Sequence, residues 1–398
     1  MRCLRWFTPF LVVVATLSLG ACTAERTAVA PSEVRMSWRA VALPTDPRGR
    51  DVVRATAACG DHWYAAGAIL APDGDTSPAL WVSTDFTSFT SVPVQAVSVY
   101  GPSNVLYGLA CRGGDVAAVG AKNGGAHGNP RTSTWLRRGD GPLREVPAGF
   151  ELFGGPNAGF VGQLSAGPGG YLIVGARIDA HGGPGAAVWQ SADGRAFTLV
   201  DSDPSLESDA RGATEVHGGV VTSHGYVAVG GITPVGSRFA ARDPVAWQSS
   251  DARTWRRVPL PHSTADDVML QVVPVGDSLL AVGSDGGRFR VWTADGSGTR
   301  WQAGPAFGGA GDSATVPTVS SLAVVGSTVY AVVANSATYE MWRGGTTGPW
   351  ERVTLPVAVP SAPVTSGPRV VSATASGGAM MLATDDGRHA AVWFGHAA

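Results

Sequence analysis

Four arginines, a tyrosine and a glutamate carry most of the chemistry this chain could do. Arg54, Tyr107 and Glu215 each stand in a short apolar run with polar interruptions, and Gln163, His217, Gln271, Thr318 and Ser372 stand in similar runs. Alternating residues of a strand share a face, so several of these polar groups should look the same way, into one channel. There they would either satisfy one another or meet a ligand. Arg177 lies with Asp179 and His181, and Arg238 and Arg242 lie with Asp243, in two charged stretches that read as long loops. A guanidinium fork matches a carboxylate with two parallel bonds. Arg177, Arg238 and Arg242 are therefore expected to form a cationic rim that recognises an acidic glycan or protein without breaking a bond.

Other chemistry finds little support. The eight histidines are scattered, and neither H-E-x-x-H nor a Cys/His cluster occurs. Asp73-Gly74-Asp75 and Asp385-Asp386-Gly387 lack the ligand series of a calcium loop and read as turns. Gly183-Pro184-Gly185 leads into a strand pattern, not a helix, so it makes no dinucleotide loop. No G-x-S-x-G elbow is present. No metal, cofactor or nucleic acid is expected. Charged residues are only 15% of the chain and the net charge is −2, without the basic excess of a nucleic-acid protein.

The elements that must position these residues recur. Trp81, Trp135, Trp189, Trp247, Trp292, Trp342 and Trp393 follow one another at gaps of 54, 54, 58, 45, 50 and 51 residues. Each sits in a strand-like run, most often followed by an Asp/Gly turn and a second run, as in VWQSADGRAFTLV (188–200). A preceding run is clearer still: HWYAAG (62–67), DVAAVG (115–120), GYLIVG (170–175), GYVAVG (225–230) and SLLAVG (278–283). Four short strands per repeat of about fifty residues indicate an all-β, seven-bladed β-propeller of four-stranded blades (strands A to D). Trp38-Arg39-Ala40-Val41-Ala42-Leu43-Pro44 shares its spacing with the fourth strands at Trp255–Pro261 and Trp350–Pro356, while the last repeat stops after its third. The N-terminal strand is thus expected to complete the last blade and close the ring, removing exposed strand edges.

Ser191-Ala192-Asp193-Gly194 and Ser249-Ser250-Asp251 resemble the Asp-box of sialidase-type propellers, with kelch propellers, through Val229-Gly230-Gly231, the nearest competitor. That resemblance makes the box a structural turn away from the ligand face. It also implies a possible exo-glycoside hydrolase, with an arginine holding a substrate carboxylate, a tyrosine nucleophile beside a glutamate, and an acidic general acid/base. Arg54, Tyr107 and Glu215 are of the right types, but the family's arginine triad and its Arg-Ile-Pro start are not recovered. A non-catalytic binding module for a glycan, peptide or partner protein is therefore preferred, with an envelope assembly scaffold as a further alternative.

Arg2 and Arg5 precede an apolar run from Phe10 to Leu19, the pattern of an export signal. Leu19-Gly20-Ala21-Cys22 resembles the lipobox of bacterial lipoproteins. The resemblance implies removal of residues 1–21, lipidation of Cys22 and anchoring to the outer side of the cell membrane. Residues 22–36 then read as the lipidated cysteine and a flexible tether, and 37–398 as one propeller, expected to be a monomer. Cys59 and Cys111 occupy near-equivalent places in adjacent repeats. Export permits oxidation, so a disulfide is expected, the alternative being two buried thiols. Of the 29 basic residues only Lys122 is lysine, a bias suggesting a high-GC bacterial genome.

Overall fold

The computed structural model describes residues 32–124, 128–179, 182–236, 242–260, 266–311, 317–361 and 369–397. Seven antiparallel sheets of four strands each form the blades of a β-propeller. Blade one comprises Arg50–Cys59, His62–Leu70, Thr76–Ser83 and Thr90–Ser91, here called strands A to D from the channel outward. Blades two to six repeat the order over residues 105–146, 158–200, 212–259, 267–307 and 318–353. Blade seven takes strands A to C from Val370–Ser376, Ala379–Asp385 and Ala390–His396. Its strand D is Trp38–Val41, antiparallel to strand C with Trp38 opposite Gly395 and Val41 opposite Val392. The N-terminal strand closes the ring as the spacing predicts.

The core is a cycle of apolar clusters, one between each pair of neighbouring blades. The seam between blades seven and one is filled by Val41, Val53, Trp63, Met381, Val392 and Phe394. The repeated tryptophans hold one register. Trp81, Trp135, Trp247, Trp292 and Trp342 lie opposite Ala65, Ala118, Ala228, Ala281 and Ala331 of strand B, and six of the seven leads are buried; Trp393 is half-buried. A small residue opposite five of the seven rings lets adjacent sheets interdigitate at interior packing density, while Trp189 and Trp393 face Ile173 and Leu382.

Strand B carries a glycine within it in blades one to five for a related reason. Strand A carries one extra residue against strand B in five blades, and the extra residues are Arg54, Tyr107, His217, Leu270 and Ser320. Such a bulge bends the strand and turns its side chain out of the two-residue alternation. Beside it the two backbones nearly touch: a Cβ on Gly67 would lie 1.8 Å from the Val52 carbonyl oxygen, on Gly230 2.0 Å from that of Glu215, and on Gly283 1.9 Å from that of Val268. The A-V-G signature is thus the mark of a bulge as well as of a strand.

In the turns after the tryptophan, the Asp85, Asp193 and Asp251 carboxylates accept backbone amides, from Thr87 and Ser88, from Arg195, and from Arg253 and Thr254. The following residue is left-handed in each: Phe86, Gly194 and Ala252. These turns lie at the C–D end of the blades, away from the D–A and B–C loops.

The chain joins the propeller earlier than its repeat spacing indicates. Glu33–Val34 runs parallel to strand D of blade six, pairing Glu33 with Arg352 and Val34 with Val353. Met36 is buried between blades six and seven. Glu33, Val34 and Met36, within the stretch read as tether, are therefore part of the propeller; two paired residues are too few to show a period. Val94–Gln95 adds a similar parallel fifth strand to blade two.

Cys59 and Cys111 form a disulfide with Cα atoms 5.6 Å apart. They are in strand A of blades one and two, near the A–B turns, and staple the inner strands together.

Candidate functional site

Strand A runs from the D–A loop toward the opposite face, so residues early in it stand near the mouth formed by the D–A and B–C loops. Arg54, Tyr107 and Glu215 all occupy that end, in blades one, two and four. The structure does not gather them into one centre.

Most polar residues of the inner strands are satisfied across blade boundaries. Tyr107 donates its hydroxyl to the Val161 carbonyl of blade three, at 2.9 Å. Gln163 accepts the Gly219 amide of blade four at 2.9 Å, and the Thr56 and Ser372 hydroxyls meet at 3.0 Å. Burial pushes the Tyr107 phenol well above its ordinary range, which keeps it protonated.

Glu215 joins a network. Arg242 donates to it at 3.1 Å and to both oxygens of Asp266 at 2.8 Å, while His217 Nε2 lies 3.5 Å from the other Glu215 oxygen. Burial alone would raise the Glu215 carboxyl, but His217 and Arg242 outweigh it and the group is held below its usual range. The bond to Asp266, opposed by burial, holds the Arg242 guanidinium above its ordinary range.

Among the described residues, the arginines expected in the cationic rim are paired with acids. Arg177 is not a loop residue; it ends strand B of blade three, is buried, and donates to Asp201 at 3.3 Å and to the Gly154 carbonyl at 2.7 Å. Arg242 is neutralised as above. Period-two reasoning had no access to Asp201 or Asp266, which come from neighbouring connections. Arg238, His181 and Cys22 lie outside the described residues.

The opening in this face lies between blades two and three. A cleft of about 550 Å³ is lined by Arg54, Tyr107, Asn123, Asn129, Thr132 and Phe160, with Phe153 and Val161 among its apolar walls. That is the size of a site for a small molecule or a few sugar units. The short helix Phe150–Phe153 in the D–A connection supplies Phe153 to the wall. The Arg131 guanidinium sits between the Phe150 and Tyr100 rings, 5.2 and 5.5 Å from their centroids. Phe150 is 65% exposed, Phe160 44% and Tyr100 43%.

The exposed large apolar residues share one placement. Val97, Val99, Tyr100, Phe150, Phe160, Val235 and Val357 are, among the described residues, those exposed, and each lies in or beside a D–A or B–C connection. Sequence reasoning missed them, because none belongs to the repeated tryptophan or strand-B pattern. The Phe-Glu-Leu-Phe run at 150–153 and the lone Phe160 were the available signals.

No family model and no curated protein matches the chain. It is similar in structure to the β-propeller domain of Cps50 (Swd1) from Myceliophteria thermophila, at 13% identity and a TM-score of 0.51, covering 91% of this chain and all of that one. It is also similar to the β-propeller domain of the Trilobed protease from Pyrococcus furiosus, at 8% identity and a TM-score of 0.48, covering 86% of this chain and 94% of that one. At such identities the likeness is one of fold.

Proposed function

We propose that this chain is an exported, lipid-anchored binding module whose propeller holds a glycan in the cleft between blades two and three. The observation that carries the reading is the collection of exposed apolar side chains on the one face that also has this cleft. Exposed apolar groups clustered on one face mark an interaction surface. Flat rings beside the Asn123, Asn129 and Thr132 side chains suit a sugar, whose ring has an apolar face and a hydroxylated rim.

Two features favour binding over hydrolysis. A tyrosine nucleophile needs an activating carboxylate within reach, whereas the Tyr107 hydroxyl is committed to the Val161 carbonyl. Glu215 is engaged by Arg242 and His217, in blade four rather than beside Tyr107.

The test is a saccharide binding screen on the purified chain, with turnover of fluorogenic glycosides followed in parallel. Binding without turnover, weakened by Phe160→Ala, is the expected outcome. Turnover abolished by Tyr107→Phe or Glu215→Gln would overturn it. For the anchor, Cys22→Ala should move the chain from the membrane pellet to the soluble fraction.

A further inference from the structure

The stack of Tyr100, Arg131 and Phe150 is fixed in place by unusual means. Arg131 has no ion pair among the described residues, and its Nε is buried without a hydrogen-bond partner among them. Two aromatic faces hold this cation where a carboxylate commonly would. Tyr100 comes from a loop with a buried anchor. Glu145, 5% exposed, accepts the Val97 and Ser98 amides at 2.7 and 2.8 Å and the Ser98 and Ser133 hydroxyls at 2.6 Å. The Ser98 hydroxyl in turn accepts the Gly101 amide at 2.9 Å. A Cβ at position 101 would lie 2.1 Å from a Glu145 carboxylate oxygen, so the loop needs glycine there.

Phe150 is the exposed end of this stack. Arg131 lies over one face of its ring, yet the residue remains 65% exposed, so the opposite face is open. The ring also stands beside the cleft. Pro130 and Thr132, the chain neighbours of Arg131, line the cleft, and so does Phe153, at the other end of the same short helix. Glu151, next to Phe150 on that helix, is exposed. A sugar ring presents C–H groups on one face and hydroxyls around its rim, and each hydroxyl both donates and accepts. An open aromatic face with a guanidinium against it and a carboxylate next along the chain suits such a ring. Because Arg131 already holds Phe150, little conformational freedom is lost when a ligand settles there, the condition for a preorganised site.

We infer that the open face of Phe150 is a second saccharide position beside the cleft, and that the ligand is an oligosaccharide running out of the cleft and over this ring. This rests on the glycan-binding reading above and adds to it a further position and the length of the ligand.

The experiment titrates the full chain with three pairs of ligands: cellobiose and cellohexaose, maltose and maltohexaose, chitobiose and chitohexaose. In the series that binds, the hexasaccharide should bind more tightly than its disaccharide. Phe150→Ala should weaken the hexasaccharide about tenfold, a loss of about 1.4 kcal/mol, and the disaccharide by less than about twofold. Phe150→Trp keeps a flat ring and should retain the hexasaccharide's affinity. Phe160→Ala acts within the cleft and should weaken both ligands. Phe150 belongs to none of the apolar clusters between the blades, so its variants should melt as the parent does. A hexasaccharide bound no more tightly than its disaccharide, or one that Phe150→Ala leaves untouched, would overturn the inference, as would equal weakening of both ligands by Phe150→Ala. Should Phe160→Ala still weaken the disaccharide in those cases, the glycan-binding reading stands without the second position. Absence of binding in all three series would overturn both.

Discussion

Ring closure makes a paired prediction at neighbouring positions. Val41 is buried in the cluster between blades seven and one, whereas Ala40, the residue before it in the closing strand, is exposed. Aspartate at position 41 would lose the transfer free energy of a buried valine, roughly 2 kcal/mol, and set a carboxylate among the apolar side chains of Val53, Met381, Val392 and Phe394. Leaving a charge buried and unpaired costs several kcal/mol more. Together Val41→Asp should remove about 4 kcal/mol or more, a large part of a typical domain's stability. Ala40→Asp keeps the backbone ladder and its solvent exposure, and should change stability by less than about 0.5 kcal/mol. Denaturant unfolding of the two variants measures the difference. Size-exclusion chromatography should show Val41→Asp associating through the uncovered outer edge of Ala390–His396. If both variants unfold at the wild-type midpoint, Trp38–Val41 contributes nothing and the closure argument fails.

Further expectations follow from the same contacts. Replacing Cys59 and Cys111 by alanine opens a loop with a sequence separation of 52 residues, and should cost about 4 kcal/mol by chain entropy, measured by unfolding with and without reductant. Gly67→Ala places a Cβ 1.8 Å from the Val52 carbonyl oxygen and should lose about 3 kcal/mol or fail to fold; Gly60→Ala, with nothing within 4 Å but a left-handed φ of 61°, should lose only about 1 kcal/mol. The Glu215 and Asp266 carboxyls are held below their usual range in the folded protein. Their contribution is thus fully present above about pH 4 and lost as pH falls through the lowered folded values. Acid titration of unfolding should show a flatter limb in Glu215→Gln, and an unchanged slope would show that the network contributes no linkage.

Much of the architecture is legible because it repeats. The tryptophan spacing, the strand-B runs and the W-x-x-V-x-L-P segment at the N-terminus each report a local rule that the fold applies seven times. The closing strand could be placed because Trp38–Val41 obeys the same rule as strand D elsewhere. The candidate site is less legible, for two physical reasons. Strand alternation loses its phase at each bulge, so the facing of Arg54, Tyr107 and His217 cannot be counted from their neighbours. Charge pairing crosses repeats: Arg54 finds Asp385 at the far end of the chain, and Arg177 and Arg242 find acids in adjacent connections. A sequence shows the arginines but not which are already neutralised. The exposed rings of Tyr100 and Phe150 stand in the connections between blades, and Phe160 stands at the start of an inner strand, so none of them follows the repeated tryptophan pattern.

These same facts separate two uses of charge on one face. The Glu215–Arg242–Asp266 network and the Arg177–Asp201 pair have their donors and acceptors matched to each other. Such pairs fix the mutual position of connections, and they have little reason to open for a ligand, because parting a partly buried pair leaves both charges uncompensated. Arg54 differs in kind. Its bond to Asp385 crosses the seam between the first and last blades, and that bond uses one nitrogen of the fork while the opposite edge stays available. The closing strand packs behind this seam, with Val41 against Val53, the residue next to Arg54 in the chain. The position of Arg54 is therefore tied to the seam that closes the ring. A chain whose seam is loosened at Val41 should lose the aim of Arg54 before it loses the cleft, whose walls come from blades two and three.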